Sequence, residues 1–127
     1  MLSGCGYLYL HNFATYVLGS EFKLGFYPTH MVHNPSSHIV HVHSLNYLYE
    51  WYQDEQVLNT VYDPYITTVV EQNGEIVLSF EDVNSYSSGS YRVRCIKVDQ
   101  YTNSVRINVI GNTFLFGFCL EVFQMVI

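Results

Sequence analysis

The chain has 127 residues, of which 49% are hydrophobic, 17% aromatic and 13% charged, and its formal net charge is −6. This length suits a single domain with a sizeable core, and the composition is far from that of disordered chains. With only five Lys and Arg, the chain has few side chains to neutralise phosphates, so the sequence predicts no nucleic-acid partner. Abundant Tyr and Phe beside a single alanine, Ala14, favour strands over helices.

The two ends of the chain are apolar and differ from its middle. Residues 1–20 end in small residues at Gly19 and Ser20, and they are interpreted either as a signal-like segment or as a first strand. Residues 21–111 form the predicted domain. Residues 112–127 are too short for a bilayer-spanning helix, which needs ~20 apolar residues. This C-terminal segment is therefore a final strand, a truncated anchor or a surface for self-association, and the sequence predicts no confident membrane span.

Between these ends, short apolar runs alternate with turn signals, which is typical of an all-β domain. The Asn73-Gly74 pair predicts a hairpin with a type I′ turn, because both residues tolerate the positive φ angles of that turn. A second hairpin is expected around residues 99–103. The predicted strands are Phe22–Phe26, Ile39–Val42, Tyr47–Tyr52, Val57–Tyr62, Ile66–Val70, Ile76–Phe80, Tyr91–Val98 and Ser104–Ile110.

Two local motifs stand in a recognisable order. The first is Glu50-Trp51-Tyr52-Gln53, and the second is Ser87-Ser88-Gly89-Ser90-Tyr91. Over residues 22–110 the sequence resembles the immunoglobulin superfamily, particularly its variable and intermediate sets. The resemblance implies an immunoglobulin-like antiparallel β-sandwich with Trp51 in the core on strand C and Tyr91 as the tyrosine corner of strand F.

The cysteines depart from that family pattern. Two residues after Tyr91, where the family has a cysteine, this chain has Val93, and the matching position on strand B falls on Val40 or Val42. The resemblance therefore implies that the family's inter-sheet bridge is absent. Cys95 shares a strand face with Val93, because side chains alternate along a strand, and it is predicted to be a buried free thiol.

The same alternation predicts an exposed surface on the sheet of strands C, F and G, which we call the C–F–G face. Tyr and Arg are enriched at interface hot spots, so this face is the predicted binding site for a protein partner such as a cell-surface receptor. In the alternative interpretation, Glu50 merely pairs across strands with Arg92 or Arg94 in a solvated contact. The predicted binding residues are Leu48, Glu50, Tyr52, Arg92, Arg94 and Arg106.

Five of the six histidines fall within residues 30–43. His41 and His43 are two apart, so on a strand they would project from one face and could bind a metal ion if a further ligand approached. No such ligand is evident from the sequence, and no cofactor is predicted. A metal-binding β-protein that uses His41 and His43 is therefore an alternative function.

Motifs for catalysis are missing from the sequence. It contains no G-x-S-x-G elbow, phosphate-binding glycine loop or H-E-x-x-H motif, and we expect no enzymatic activity. The predicted function is a binding module of the adhesion, receptor or viral immune-modulator type, with a structural module that self-associates through residues 112–127 as a further alternative. The expected location is secreted or membrane-associated, although a chain without the family bridge also suits the cytosol.

Overall fold

The computed structural model describes residues 4–29, 38–39, 48–58, 60 and 63–111. No helix in these ranges is long and apolar enough to cross a membrane. A single turn of 3₁₀ helix covers Ser85–Ser87. The strands are β1 (Gly6–Leu10), β2 (Thr15–Val17), β3 (Phe22–Pro28), β4 (His38–Ile39), β5 (Tyr49–Gln53), β6 (Gln56–Val57), β7 (Ile66–Val70), β8 (Ile76–Phe80), β9 (Gly89–Cys95), β10 (Gln100–Tyr101) and β11 (Val105–Ile110).

The described strands form two sheets that enclose one core. The first sheet has the order β1-β3-β8-β7-β4, and the second has the order β2-β11-β9-β5-β6, with β10 paired to β9. The neighbours pair antiparallel except β2 and β11, which run parallel. The N-terminal segment thus contributes one strand to each sheet. In the immunoglobulin lettering, β5, β9 and β11 occupy the positions of strands C, F and G.

The core lies between the sheets and is rich in aromatic side chains. Trp51 is 5% exposed and meets the ring of Phe26 edge-on, with the ring centroids 5.9 Å apart. Its partner across the β5–β9 ladder is the fully buried Val93. The prediction that Trp51 is the core tryptophan is therefore confirmed.

The strand between β1 and β8, which is the position of strand B, is β3. The assignment of strand B to the segment around Val40 and Val42 was wrong, because the backbone of residues 38–39 pairs with β7 at the edge of the first sheet. Val40 and Val42 themselves lie outside the described residues. The inward residues of β3 include Leu24 and Phe26, both fully buried, so leucine and phenylalanine stand where the sequence had suggested valines.

Cys95 is buried as predicted but is not a free thiol. It forms a disulfide with Cys5, which is 1% exposed and immediately precedes β1. The prediction of an unpaired Cys95 was therefore wrong. The bond lies away from the family position, since Val93 occupies that site on β9 and β3 contains no cysteine. Its effect is to fasten the start of the first strand to the end of β9, across 90 residues of sequence.

The loop that precedes β9 is closed by a tyrosine corner. The Tyr91 hydroxyl donates a hydrogen bond of 2.5 Å to the backbone carbonyl of Ser87, four residues upstream. Burial, with a smaller contribution from Asp54, raises the pKa of Tyr91, so the hydroxyl remains protonated and able to donate. The role of Tyr91 inferred from the resemblance is confirmed.

Replacing Tyr91 with phenylalanine removes this hydrogen bond and leaves the ring packed against Phe22 and Phe80. We expect the free energy of unfolding to fall by about 1 kcal/mol, the usual net contribution of such a bond. Urea denaturation of both proteins measures the difference. An unchanged midpoint would show that the corner does not stabilise this domain.

The hairpin between β7 and β8 has the predicted strands but a different turn. Its loop runs from Glu71 to Glu75. The backbone N–H of Glu71 donates a hydrogen bond of 2.8 Å to the backbone carbonyl of Glu75. Gly74 has a φ of 92°, whereas Asn73 does not have a positive φ. The predicted type I′ turn, which needs positive φ at both central residues, is therefore wrong, and one glycine in the left-handed region closes a longer loop.

Candidate functional site

The C–F–G face is built by the ladder between β5 and β9. In its register Glu50 lies opposite Arg94, and Tyr52 lies opposite Arg92. These residues alternate with buried ones such as Trp51, so all four side chains project from the outer side of the sheet. Strand alternation in the sequence correctly brought these four residues together.

Arg92 packs against two tyrosine rings that also contact each other. Its guanidinium carbon is 4.3 Å from the ring centroid of Tyr101 and 5.5 Å from that of Tyr52. The rings themselves meet edge-on at 5.7 Å, and 29% of the Arg92 side chain is exposed. Such cation–π contacts fix the orientation of a guanidinium and are a common use of arginine beside aromatic rings.

The charge of Arg92 is only weakly compensated. Its ion-pair contact is with Glu55, at 3.7 Å, and that carboxylate is 88% exposed. The Nε atom is buried and has no hydrogen-bond partner among the described residues. Arg92 is therefore a cation whose position is set by aromatic packing and whose hydrogen-bonding capacity is only partly used.

The charge of Arg94, unlike that of Arg92, is compensated by two carboxylates. Its Nη1 lies 2.8 Å from Glu50 Oε1, and its Nε lies 2.9 Å from Asp99 Oδ1. These hydrogen bonds, that to Glu50 first, raise the pKa of Arg94. The cross-strand pair between Glu50 and Arg94 is thus present, as the alternative interpretation expected, so the face is not uniformly positive.

The hydroxyl of Tyr52 connects the aromatic cluster around Arg92 with the ion pair of Glu50 and Arg94. It donates a hydrogen bond of 3.3 Å to Glu50 Oε1, the same oxygen that accepts from Arg94. Burial, followed by the neighbouring Glu50 and Tyr101, raises the pKa of Tyr52. The phenol therefore stays neutral at physiological pH, and the aromatic and charged groups form one connected network.

Sequence reasoning missed Tyr101 because it placed that residue in a turn. The turn comes earlier, where the Asp99 N–H donates to the carbonyl of Ile96, and β10 begins directly afterwards. Tyr101 pairs with Arg94 and so faces outward beside it. The sequence signal that could have placed the turn earlier is Asp99 itself, because aspartate is among the residues that tolerate positive φ, and its φ in the structure is 52°.

A β-bulge between β10 and β11 then determines which side chains of β11 project from the C–F–G face. Tyr101 pairs with Arg94 and Val105 pairs with Tyr91, so four positions on one strand match three on the other. The extra residue reverses the alternation, which turns Val105 inward and leaves Arg106 exposed. Tyr101 and Arg106 therefore project from the same face although they are five positions apart.

Of the remaining predicted site residues, one lies on this face and one does not. Arg106 pairs with Ser90 and lies on the face beyond Arg92. Leu48 precedes β5 and packs, partly buried, against the core, so its predicted outward direction was wrong because the strand alternation does not extend that far. The candidate metal ligands His41 and His43 and the C-terminal segment 112–127 lie outside the described residues.

Comparison with known proteins identifies the fold. No family model matches the sequence, and no curated protein sequence matches it. Among solved structures, the M3 domain of titin is similar with a TM-score of 0.54 and 16% identity, over 82% of this chain and 97% of that one. The first immunoglobulin domain of the mouse polymeric immunoglobulin receptor is similar with a TM-score of 0.55 and 12% identity, over 84% and 96% of the two chains. The chain therefore has an immunoglobulin-like fold, an all-β sandwich of the class that the sequence motifs predicted.

Proposed function

We propose that the chain is a non-catalytic binding module whose C–F–G face, centred on Tyr52, Arg92 and Arg94, binds a protein partner. The observation that carries this proposal is the state of Arg92, which packs against two tyrosine rings while its charge is weakly compensated. Arginine and tyrosine dominate interface hot spots because they combine a large contact area with directional hydrogen bonds.

The fixed orientation of the side chains on this face also supports the proposed function. Arg94 is held by Glu50 and Asp99, and Tyr52 is held by Glu50, so these side chains have little rotational freedom left to lose. A partner that docks on a preorganised surface pays a smaller entropic cost than one that must order flexible side chains. The ion pairs therefore act as supports for the exposed rings and for Arg92.

The disulfide supports a location outside the reducing cytosol. Stable structural disulfides are characteristic of secreted proteins and of the exterior of cells or virions. The bond between Cys5 and Cys95 is buried against the core, where it would form and persist in an oxidising compartment. A partner on a cell surface, of the receptor or adhesion type, fits this location.

The proposal predicts that charge reversal at Arg92 removes binding and leaves the fold intact. The partner is first identified by screening the full chain against an array of cell-surface ectodomains. In a binding assay with that partner, Arg92→Glu should weaken the affinity by about 30-fold or more, the effect of losing a hot spot. The side chain lies on the outer face of the sheet, so circular dichroism should remain that of the wild-type protein. Loss of the two cation–π contacts should lower the free energy of unfolding by only about 1–2 kcal/mol.

The matched control is Lys23→Glu, the same change of charge on β3 of the other sheet. It should bind as the wild-type protein does. If Arg92→Glu and Arg94→Glu both bind normally, the C–F–G face is not the binding surface. Equal weakening by Lys23→Glu would point instead to a general effect of charge.

A further inference from the structure

A cavity of about 400 Å³ lies at one end of the sandwich. It is surrounded by the start of β1 and the end of β3 from the first sheet, and by the start of β5 and the end of β9 from the second. Tyr49 and Cys95 reach it from the inner side of the second sheet, opposite the C–F–G face. Binding sites for small molecules commonly have volumes of about 300–1,000 Å³, so the cavity has the size of such a site.

The inner walls of this cavity are held by covalent and aromatic contacts. The disulfide between Cys5 and Cys95 forms one wall, and both residues are buried. The ring of Tyr49 forms another wall and packs edge-on against Phe26, with the ring centroids 5.1 Å apart. A ligand would therefore enter a largely preformed space and pay little for ordering side chains.

The lining of the cavity is mostly apolar. Besides the disulfide, it includes Pro28, Leu48, Tyr49 and Val98. Val98 is 47% exposed, which places it at the mouth, whereas Tyr49 is buried. Water gains few hydrogen bonds in such a space, so an apolar group that replaces it is favoured.

Lys97 is the charged residue among those that line the cavity. It is exposed in the turn that follows β9, and it makes no ion pair with the described residues. The site thus joins an apolar interior to an uncompensated cation at the rim, on a chain whose net charge is −6. A ligand with an apolar tail and an anionic head is complementary to both parts.

We infer that this cavity binds a small amphiphilic carboxylate such as a medium-chain fatty acid. The hydrocarbon tail lies between the ends of the two sheets, and the carboxylate lies beside the ammonium group of Lys97. Each buried methylene adds to the affinity, and the charged contact fixes the direction in which the chain enters. The site is separate from the C–F–G face, so the chain can bind this ligand whether or not that face binds a protein.

The test is calorimetric titration of the full chain, purified without detergent. The probes are sodium decanoate, sodium octanoate and 1-decanol, all at concentrations where they are monomeric. One equivalent of decanoate should bind, and octanoate should bind about tenfold more weakly because it buries two fewer methylenes. Lys97→Glu should weaken the binding of decanoate by at least about tenfold, since an attractive contact becomes a repulsive one. It should leave the binding of the uncharged decanol unchanged.

Two charge variants are the controls. Lys23→Glu makes the same change on β3 of the first sheet, and Arg92→Glu changes the C–F–G face. Both should bind decanoate as the wild-type protein does. The result for Arg92→Glu separates this inference from the proposed protein-binding function, because each can fail without the other.

Val98→Trp tests the cavity itself. A larger side chain at the mouth should weaken the binding of decanoate and decanol alike, and circular dichroism should show an unchanged fold because Val98 is half-exposed. The inference is wrong if decanoate does not bind the wild-type chain at sub-millimolar concentration. It is also wrong if Lys97→Glu binds decanoate unaltered, or if a folded Val98→Trp variant binds both probes as before.

Discussion

Replacing Trp51 with alanine should lower the free energy of unfolding by about 3–5 kcal/mol, the range found when a large aromatic side chain is removed from a core. The indole is 5% exposed, and it packs against Phe26 and beside Val93 at the junction of the two sheets. Few neighbours can move into the resulting cavity, because both sheets are hydrogen-bonded ladders. Urea denaturation followed by circular dichroism measures the change.

Trp51→Phe is the matched control for this prediction. It retains an aromatic ring that can still face Phe26, and it should cost clearly less than the alanine variant because a smaller cavity remains. A loss below about 1 kcal/mol for Trp51→Ala would mean that the indole is not part of a close-packed core. The two-sheet arrangement, with every surface assignment that depends on it, would then be wrong.

The double variant Cys5→Ala/Cys95→Ala should lose about 4 kcal/mol of stability. The bond closes a loop with a sequence separation of 90 residues, and the chain-entropy model assigns about 4–5 kcal/mol to a loop of that length. Alanine is the appropriate replacement because both positions are buried, where serine would introduce an unpaired hydroxyl. The unfolding midpoint in urea, measured with and without the substitutions, gives the difference.

A reducing agent provides the control for the disulfide. It should lower the stability of the wild-type protein towards that of the double variant and should leave the double variant unchanged. Alkylation of the denatured, unreduced protein gives a direct test as well. Modification of Cys5 and Cys95 under those conditions would show that the bond is absent and would remove the support for an oxidising compartment.

The disulfide illustrates a limit of sequence reasoning. Period-two alternation correctly placed the Cys95 side chain in the core, because burial on a strand is a local property. Its partner could not be identified in the same way. Cys5 becomes a neighbour only when β1 pairs with β3 and the two sheets face each other. The identity of a distant contact depends on topology, which local patterns do not contain.

The C–F–G face shows the same limit, because strand alternation predicted most of its residues but missed one. Alternation grouped Glu50, Tyr52, Arg92 and Arg94 correctly, because all four lie within the regular ladder of β5 and β9. It failed for Tyr101, which reaches the face through an early turn and the bulge that follows it. A single extra residue reverses which side chains face outward, and the periodic pattern of the sequence does not predict where that residue is inserted.

By itself the sequence determined the all-β class through local patterning. It determined the core tryptophan and the tyrosine corner through the resemblance of two motifs to the immunoglobulin superfamily. Tertiary structure decided which strand occupies the position of strand B, which cysteine bonds to Cys95, and which arginine keeps a weakly compensated charge. It also brought Glu75, which precedes β8, beside Tyr9 and His11 at the end of β1. The physical reason is that backbone propensities and side-chain alternation act over a few residues, whereas pairing between distant strands depends on how the whole chain packs.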